Sequence, residues 1–184
     1  NGLAVQGVDV RQEELDGLYG GTVRFVSKEE AIRGSDIIVN AMNLTRNPES
    51  RFYNVGYFSR EYLSQAKRNL IFINVTRGEI APESALLDLY RSGKITGIGL
   101  DVFSSESQFS ALLLGQPAET DANLLAAKAL VEKSIDRSSN IYVQPHQGFN
   151  SDIAALTKAV EAVIHIVAWY RNGKERFDEQ LPYY

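Results

Sequence analysis

The sequence predicts a doubly wound α/β fold, in which a parallel β-sheet lies between layers of helices. Short β-rich runs alternate with helical stretches from one end of the chain to the other. Several of these runs are continuously apolar, such as Ile37-Ile38-Val39 and Ile71-Phe72-Ile73. Strands that are buried on both faces have this composition, and a parallel sheet covered by helices requires such strands.

Six runs are predicted as strands, and the connections between them are expected to be right-handed crossovers. They cover residues 4–10, 23–26, 36–41, 70–75, 96–102 and 141–144. Two connections are too long for ordinary loops. Residues 45–57 are polar with interspersed aromatics, and residues 104–139 form an insertion about three times longer than most loops in such folds.

The first two predicted helices have recognisable start and stop signals. Ser27-Lys28-Glu29-Glu30 has the form of a capping box, in which Ser27 caps the first turn and Glu30 reaches back to the start of the helix. Gly34 is expected to end this helix. The next helix is predicted over residues 82–92, with Pro82 in the first turn and Gly93 as the left-handed stop.

Two more helices are predicted in the second half of the chain. One covers residues 121–135, inside the insertion, and the other runs from Asn150 or Ser151 to about Arg171. The last helix carries one apolar stripe, formed by Ile153, Leu156, Val160, Val163, Ile164 and Val167. We expect residues 1–150 to form one domain and residues 151–184 to form a C-terminal helix and tail.

Composition excludes several classes of protein. The 184 residues include 19 Lys and Arg against 23 Asp and Glu, and the net charge of −4 argues against a nucleic-acid surface. The absence of cysteine excludes thiolate zinc sites, and no metal site is predicted. Unbroken apolar runs are only a few residues long, so no membrane-spanning segment is expected. The chain is expected to be a cytoplasmic globular domain, and its first residue, Asn1, suggests a truncated piece.

Polar residues follow several of the predicted strands, where ligands bind in open α/β sheets. They are Asp9, Arg77, Asp101 with Glu106 five residues later, and His146. A dehydrogenase site requires an acid that binds a ribose, a cation held in a fixed position, and an imidazole with an acid near it. Taken singly, each of them is equally explained as a solvated turn or surface residue. His165 lies on the final helix opposite the apolar stripe and is expected to be solvated.

Three stretches together resemble the D-isomer-specific 2-hydroxyacid dehydrogenases, the group that contains 3-phosphoglycerate, D-lactate, glycerate and formate dehydrogenases. They are INVTRGEI at residues 73–80, SGKITGIGLDVF at 92–103 and QPHQG at 144–148. The strand SDIIVN at 35–40 is also similar to the strand that precedes them in that family. The resemblance covers nearly the whole chain apart from the two long loops, and it implies a Rossmann-like NAD-binding domain.

The resemblance implies a role for each candidate residue. Arg77 would bind the substrate carboxylate, and His146 would act as the acid/base with Glu106 as its partner. Asp9 would hold the adenosine ribose hydroxyls, whereas Asp101 and Thr76 would lie near the nicotinamide. Asp9 favours NAD because a carboxylate accepts from two hydroxyls and repels a 2′-phosphate, although the nearby Arg11 leaves NADP open.

The resemblance implies a protein that transfers a hydride between NAD and a small D-2-hydroxy or 2-oxo acid. This protein is expected to be a homodimer with no nucleic-acid or membrane partner. The glycine fingerprint of dinucleotide-binding folds is absent, and in the family it comes just before the strand that holds Asp9. The chain is therefore expected to be a C-terminal piece without the first strand and Gly-rich loop, which binds NAD poorly and is inactive alone.

Two rival functions stay open at this point. Ser107 follows Glu106 where the family usually has Pro, and Gln147 after the histidine is also unusual. These departures and the long insertion keep open a dinucleotide-sensing or corepressor-like binding protein without efficient catalysis. A third possibility is an unrelated ligand on the same scaffold, since a fold does not determine a function.

Overall fold

The chain folds as two compact units, Asn1–Val143 and Gln144–Tyr184. A computed structural model describes residues 2–19, 21–117, 121–148 and 150–175. The first unit contains the six strands that the structure describes, and the second contains the long final helix. The domain boundary expected at residue 150 stays a prediction.

A four-stranded parallel sheet forms the centre of the first unit. Its strands are β3 (Ile37–Asn40), β4 (Leu70–Asn74), β5 (Ile95–Leu100) and β6 (Ile141–Val143), in the order β3-β4-β5-β6. Two shorter strands, β1 (Gln6–Gly7) and β2 (Arg24–Phe25), pair in parallel as a separate sheet. The prediction of six parallel strands is confirmed, although each is shorter than the apolar run that predicted it.

Seven α-helices and one 3₁₀ turn connect or follow these strands in the described residues. They are α1 (Gln12–Tyr19), α2 (Lys28–Gly34), α3 (Arg60–Leu63), α4 (Glu83–Arg91), α5 (Glu106–Leu113), α6 (Ala122–Asp136), α7 (Asp152–Arg171) and the turn Gly78–Ile80. The four predicted helices leave α1, α3 and α5 without a prediction. The 104–139 insertion therefore holds two helices rather than one.

Helix caps agree with most of the sequence signals. Ser27 Oγ accepts from Glu30 N at 3.1 Å, and Ser151 Oγ accepts from Ala154 N at 3.1 Å. Gly93 takes a φ of +73° after α4, as expected of a left-handed stop. The reciprocal half of the capping box is wrong, because the Glu30 carboxylate instead pairs with Arg24 Nη2 at 2.5 Å.

The core lies on one face of the four-stranded sheet. Helices α4 and α6 contact the sheet and each other, so they cover the same face. The prediction that the strands are buried on both faces is wrong for β3, where Ile37 and Val39 are 42% and 53% exposed. Side chains alternate between the faces of a strand, so Ile38 packs on the core while its two neighbours point away from it.

Helix α7 is apolar over most of its length, with a mean hydropathy of 1.4 over its most apolar 18 residues. By length and composition alone it qualifies as a membrane-spanning helix, which corrects the expectation that no segment does. Its predicted apolar stripe is exposed in the structure, from 39% at Val167 to 80% at Ile153. Length and composition alone assign no membrane role to α7.

Candidate functional site

Two buried asparagines end neighbouring strands of the sheet. Asn40 and Asn74 are paired in the register of β3 and β4, and each is 1% exposed. Asn40 Nδ2 donates to Asn74 Oδ1 at 2.9 Å and to Thr76 Oγ1 at 2.8 Å. Buried amides require such partners, and these bonds hold the backbone that follows β4 in one conformation.

Arg77 emerges from this network at the end of β4. Its carbonyl oxygen accepts from Asn74 Nδ2 at 2.9 Å, which ties the Arg77 backbone to the buried pair. The side chain is exposed, and Nη1 donates to the Thr76 carbonyl at 2.7 Å. A guanidinium has five N–H donors in a planar fork, and this bond uses one of them. The arrangement suits a group that grips an incoming carboxylate.

Asp101 follows β5 directly and shares this edge of the sheet. Its backbone N–H donates to the Asn74 carbonyl at 3.0 Å, and the residue is only 5% exposed. The first unit thus brings Thr76, Arg77 and Asp101 together at the carboxyl ends of adjacent strands. This is the edge at which open α/β sheets bind ligands.

Glu106 begins α5, on the segment that leads away from Asp101. It is exposed and follows Ser105, which takes the left-handed φ of +51°. The same segment touches the turn after Arg77: a Cβ added to Gly78 would lie 2.0 Å from both the Phe103 carbonyl carbon and Ser104 N. Only glycine permits this approach, so the turn after Arg77 and the segment before Glu106 are in direct contact.

Asp9 lines a different cavity, beyond the end of β1. Its Oδ1 accepts from Arg11 N at 2.8 Å, and Arg11 Nε lies 4.0 Å away. The open cavity has a volume of about 430 Å³, and its lining consists of residues 9–14 together with Arg51. Arg51 comes from the 45–57 loop, where its guanidinium lies 4.5 Å over the Phe52 ring. Arg51 was not predicted to lie here, because nothing in its local sequence distinguishes it from a surface arginine.

His146 belongs to the second unit. It is half-buried and takes a φ of +54°, a left-handed conformation in which His is enriched among non-glycine residues. Such conformations are strained and cluster at functional sites. The other histidine, His165, lies on α7 with its side chain 40% exposed and its Nε2 4.0 Å from Glu161 Oε2. The roles predicted for His146 and for its partner Glu106 stay predictions.

Polar residues at the carboxyl ends of parallel strands, in a sheet connected through helices, place the chain among the open α/β domains that bind ligands at this edge. The family model described as D-isomer specific 2-hydroxyacid dehydrogenase, NAD binding domain, matches residues 1–148. The chain belongs to this family, as its three sequence stretches predicted.

Comparisons with individual proteins agree with this assignment. The chain is 29% identical over 148 residues to human glyoxylate reductase/hydroxypyruvate reductase, and 35% identical over 100 residues to glyoxylate reductase of Pyrococcus horikoshii. These matches cover 80% and 54% of the chain, and 37% and 28% of the two relatives.

Among solved structures, the chain resembles D-lactate dehydrogenase from Aquifex aeolicus, complexed with NAD and lactic acid. The TM-score is 0.72 at 25% identity, covering 98% of this chain and 51% of that one. The chain therefore spans about half, or less, of the length of the proteins that it matches. These matches confirm the Rossmann-like fold.

Proposed function

We propose that the complete protein is an oxidoreductase that transfers a hydride between NAD and a small D-2-hydroxy acid or its 2-oxo acid. The observation that carries this proposal is the fixed position of Arg77 beside Thr76 and Asp101, set by the buried Asn40–Asn74 pair. Membership of the family supports the reaction class, and the carboxylate-binding geometry of a guanidinium supports an acid as the substrate.

The residues present fit NAD at two places. The Asp9 carboxylate faces the open cavity beyond β1 and has lone pairs for the ribose hydroxyls, since its one described hydrogen bond uses Oδ1. Asp101 and Thr76 would lie at the nicotinamide end, as the family resemblance implies. When bound, the nicotinamide accepts or supplies the hydride.

The chain's own residues would then bind the acid and move one proton. Arg77 would grip the substrate carboxylate with its planar fork and polarise the 2-oxo oxygen, a task that a lysine ammonium performs poorly. His146 would remove the hydroxyl proton during oxidation and return it during reduction, because imidazole changes charge near neutral pH. Glu106 would stabilise the protonated imidazole.

The rival reading, a dinucleotide sensor or corepressor-like protein, is not favoured, because the relatives are named as reductases and dehydrogenases. A nicotinamide absorbance assay of the complete protein with a panel of 2-oxo acids tests the proposal. We expect NADH consumption with at least one small 2-oxo acid. Tight NADH binding without turnover of any acid in the panel would support the rival instead.

We also propose that the complete protein is a cytoplasmic homodimer. Exposed apolar side chains on the 104–139 insertion, such as Leu113, Leu114 and Leu125, support an association between copies. Sedimentation equilibrium of the complete protein tests the dimer, and a single monomeric species at micromolar concentration would contradict it. Fractionation of the source cells tests the location.

A further inference from the structure

Glu83, the first residue of α4, carries a buried carboxyl group. The residue is 1% exposed, and its Oε1 accepts from Ser104 N at 2.6 Å. Its Oε2 is a buried side-chain atom without a hydrogen-bond partner in the described part of the chain. Burying a carboxyl group is costly, so this position needs an interaction that offsets the cost. The bond from Ser104 N is accompanied by hydrogen bonds from the Ser104 side chain and from the Glu83 backbone.

Ser104 lies where two segments of the predicted site meet, the turn after Arg77 and the segment that leads to Glu106. The Gly78 turn that follows Arg77 presses against Phe103 and Ser104, closely enough that no side chain fits at Gly78. Two residues after Ser104, α5 begins with Glu106. The Ser104 backbone thus lies between the residue predicted to bind the substrate and the residue predicted to assist the acid/base.

Burial and hydrogen bonding have opposite effects on the Glu83 carboxyl group. Burial raises the pKa of Glu83 to about 7, and the negative charge of Asp121 adds to the rise, while the hydrogen bonds from Ser104 and from the Glu83 backbone oppose it. The Asp121 carboxylate has a structural role of its own, because its Oδ1 caps α6 by accepting a hydrogen bond from Leu124 N at 2.8 Å.

We propose that Glu83 is a positioning residue, which holds the Ser104 backbone against Gly78 and so sets the place of Glu106 relative to Arg77. The contact between Glu83 and Ser104 is a property of the first unit by itself. Its consequence for turnover rests on the function proposed above.

The first test follows the Ser104 amide by NMR in Glu83→Ala, Glu83→Gln and the control Asp88→Asn. Asp88 is a matched control because it lies on the same helix, is half-exposed and pairs with Arg60 at 3.4 Å, away from Ser104. We expect Glu83→Ala to speed Ser104 amide exchange by about tenfold or more and to weaken the nuclear Overhauser contact between Gly78 and Ser104. Glu83→Gln, which keeps an acceptor oxygen, and Asp88→Asn should leave both signals within about threefold of the parent protein.

The second test measures kinetics of the complete protein. We expect Glu83→Ala to lower kcat by about tenfold or more with little change in KM for NADH, and Glu83→Gln to restore most of the loss. If Glu83→Ala fails to fold, Glu83→Asp replaces it, since its shorter side chain cannot reach Ser104 N without a backbone shift.

Unchanged Ser104 exchange in both shortened variants would overturn the proposal, and so would an equal loss of kcat in the Gln and Ala variants. A parent protein that turns over no 2-oxo acid, with Ser104 exchange still dependent on Glu83, would overturn the proposed function while supporting the contact.

Discussion

Asn40 and Asn74 stand opposite each other at the carboxyl ends of adjacent parallel strands, with 2.9 Å between Asn40 Nδ2 and Asn74 Oδ1. Both side chains are almost fully buried. Each also donates a hydrogen bond to a residue at the carboxyl edge of the sheet: Asn40 to the Thr76 hydroxyl and Asn74 to the Arg77 carbonyl. Two neutral amides thereby hold the backbone from which the Arg77 guanidinium projects at the sheet edge.

The first prediction concerns this pair. Asn74→Ala removes the bond to the Arg77 carbonyl and leaves the Asn40 amide without one of its acceptors, so we expect a loss of about 2–4 kcal/mol in the free energy of unfolding. Urea denaturation measures it. Asn43→Ala is the control, because that side chain is exposed and should change stability by less than about 0.5 kcal/mol. Equal effects of the two substitutions would contradict the structural role of Asn74.

The second prediction concerns Arg77. In the complete protein, Arg77→Ala should lower kcat/KM for the 2-oxo acid by at least about tenfold, and Arg77→Lys should recover little because an ammonium lacks the planar fork. Steady-state kinetics check this. Arg60→Ala serves as control, since Arg60 is an exposed arginine paired with Asp88 on the surface. A fully active Lys variant would exclude bidentate binding.

The third prediction concerns the two histidines. His146→Ala should reduce turnover by at least about tenfold, because the proton would then exchange without a positioned acid or base. His165→Ala, on α7 beside Glu161, should keep the parent rate. Activity of the His146 variant at the parent level would remove the acid/base assignment.

The fourth prediction concerns cofactor choice at the Asp9 cavity. Arg11 and Arg51 face this cavity together with Asp9, so Asp9→Ala would leave two guanidinium groups without the carboxylate that repels a 2′-phosphate. We expect the ratio of kcat/KM for NADPH over NADH to rise by about tenfold or more. Asp16→Ala, on the exposed side of α1, should leave the ratio unchanged. A ratio that stays constant in the Asp9 variant would show that this cavity does not distinguish a ribose 2′-hydroxyl from a 2′-phosphate.

The fifth prediction concerns pH. The pKa of Glu83 is about 7 in the folded chain against 4.5 for an ordinary glutamate, so the folded state holds this proton more tightly than the unfolded state. Its contribution to stability is therefore present below pH 4.5 and is lost as pH rises to 7. Between pH 5 and 8 the parent chain should lose about 2–3 kcal/mol of unfolding free energy relative to Glu83→Gln. Urea denaturation at the two pH values measures the difference, and parallel pH curves for the two proteins would contradict it.

Several parts of the site were predictable because their signals are local. Arg77 and Asp101 follow buried apolar runs, and the carboxyl ends of parallel strands meet at one edge, so their proximity followed from the strand predictions. Arg51 and Glu83 had no such signal. Arg51 reaches the Asp9 cavity from a long loop. In the sequence, Glu83 is indistinguishable from any acidic residue in the first turn of a helix.

The sequence by itself determined the parallel α/β class, most of the helix caps and the family, because apolar periodicity, capping residues and short motifs act over a few neighbouring positions. Only the tertiary structure decided that β3 has one open face, that two asparagines hold Arg77, and that Glu83 is buried against Ser104. Those relationships join residues up to 36 positions apart. Packing of helices on a sheet brings such residues together, and no local pattern along the chain encodes that packing.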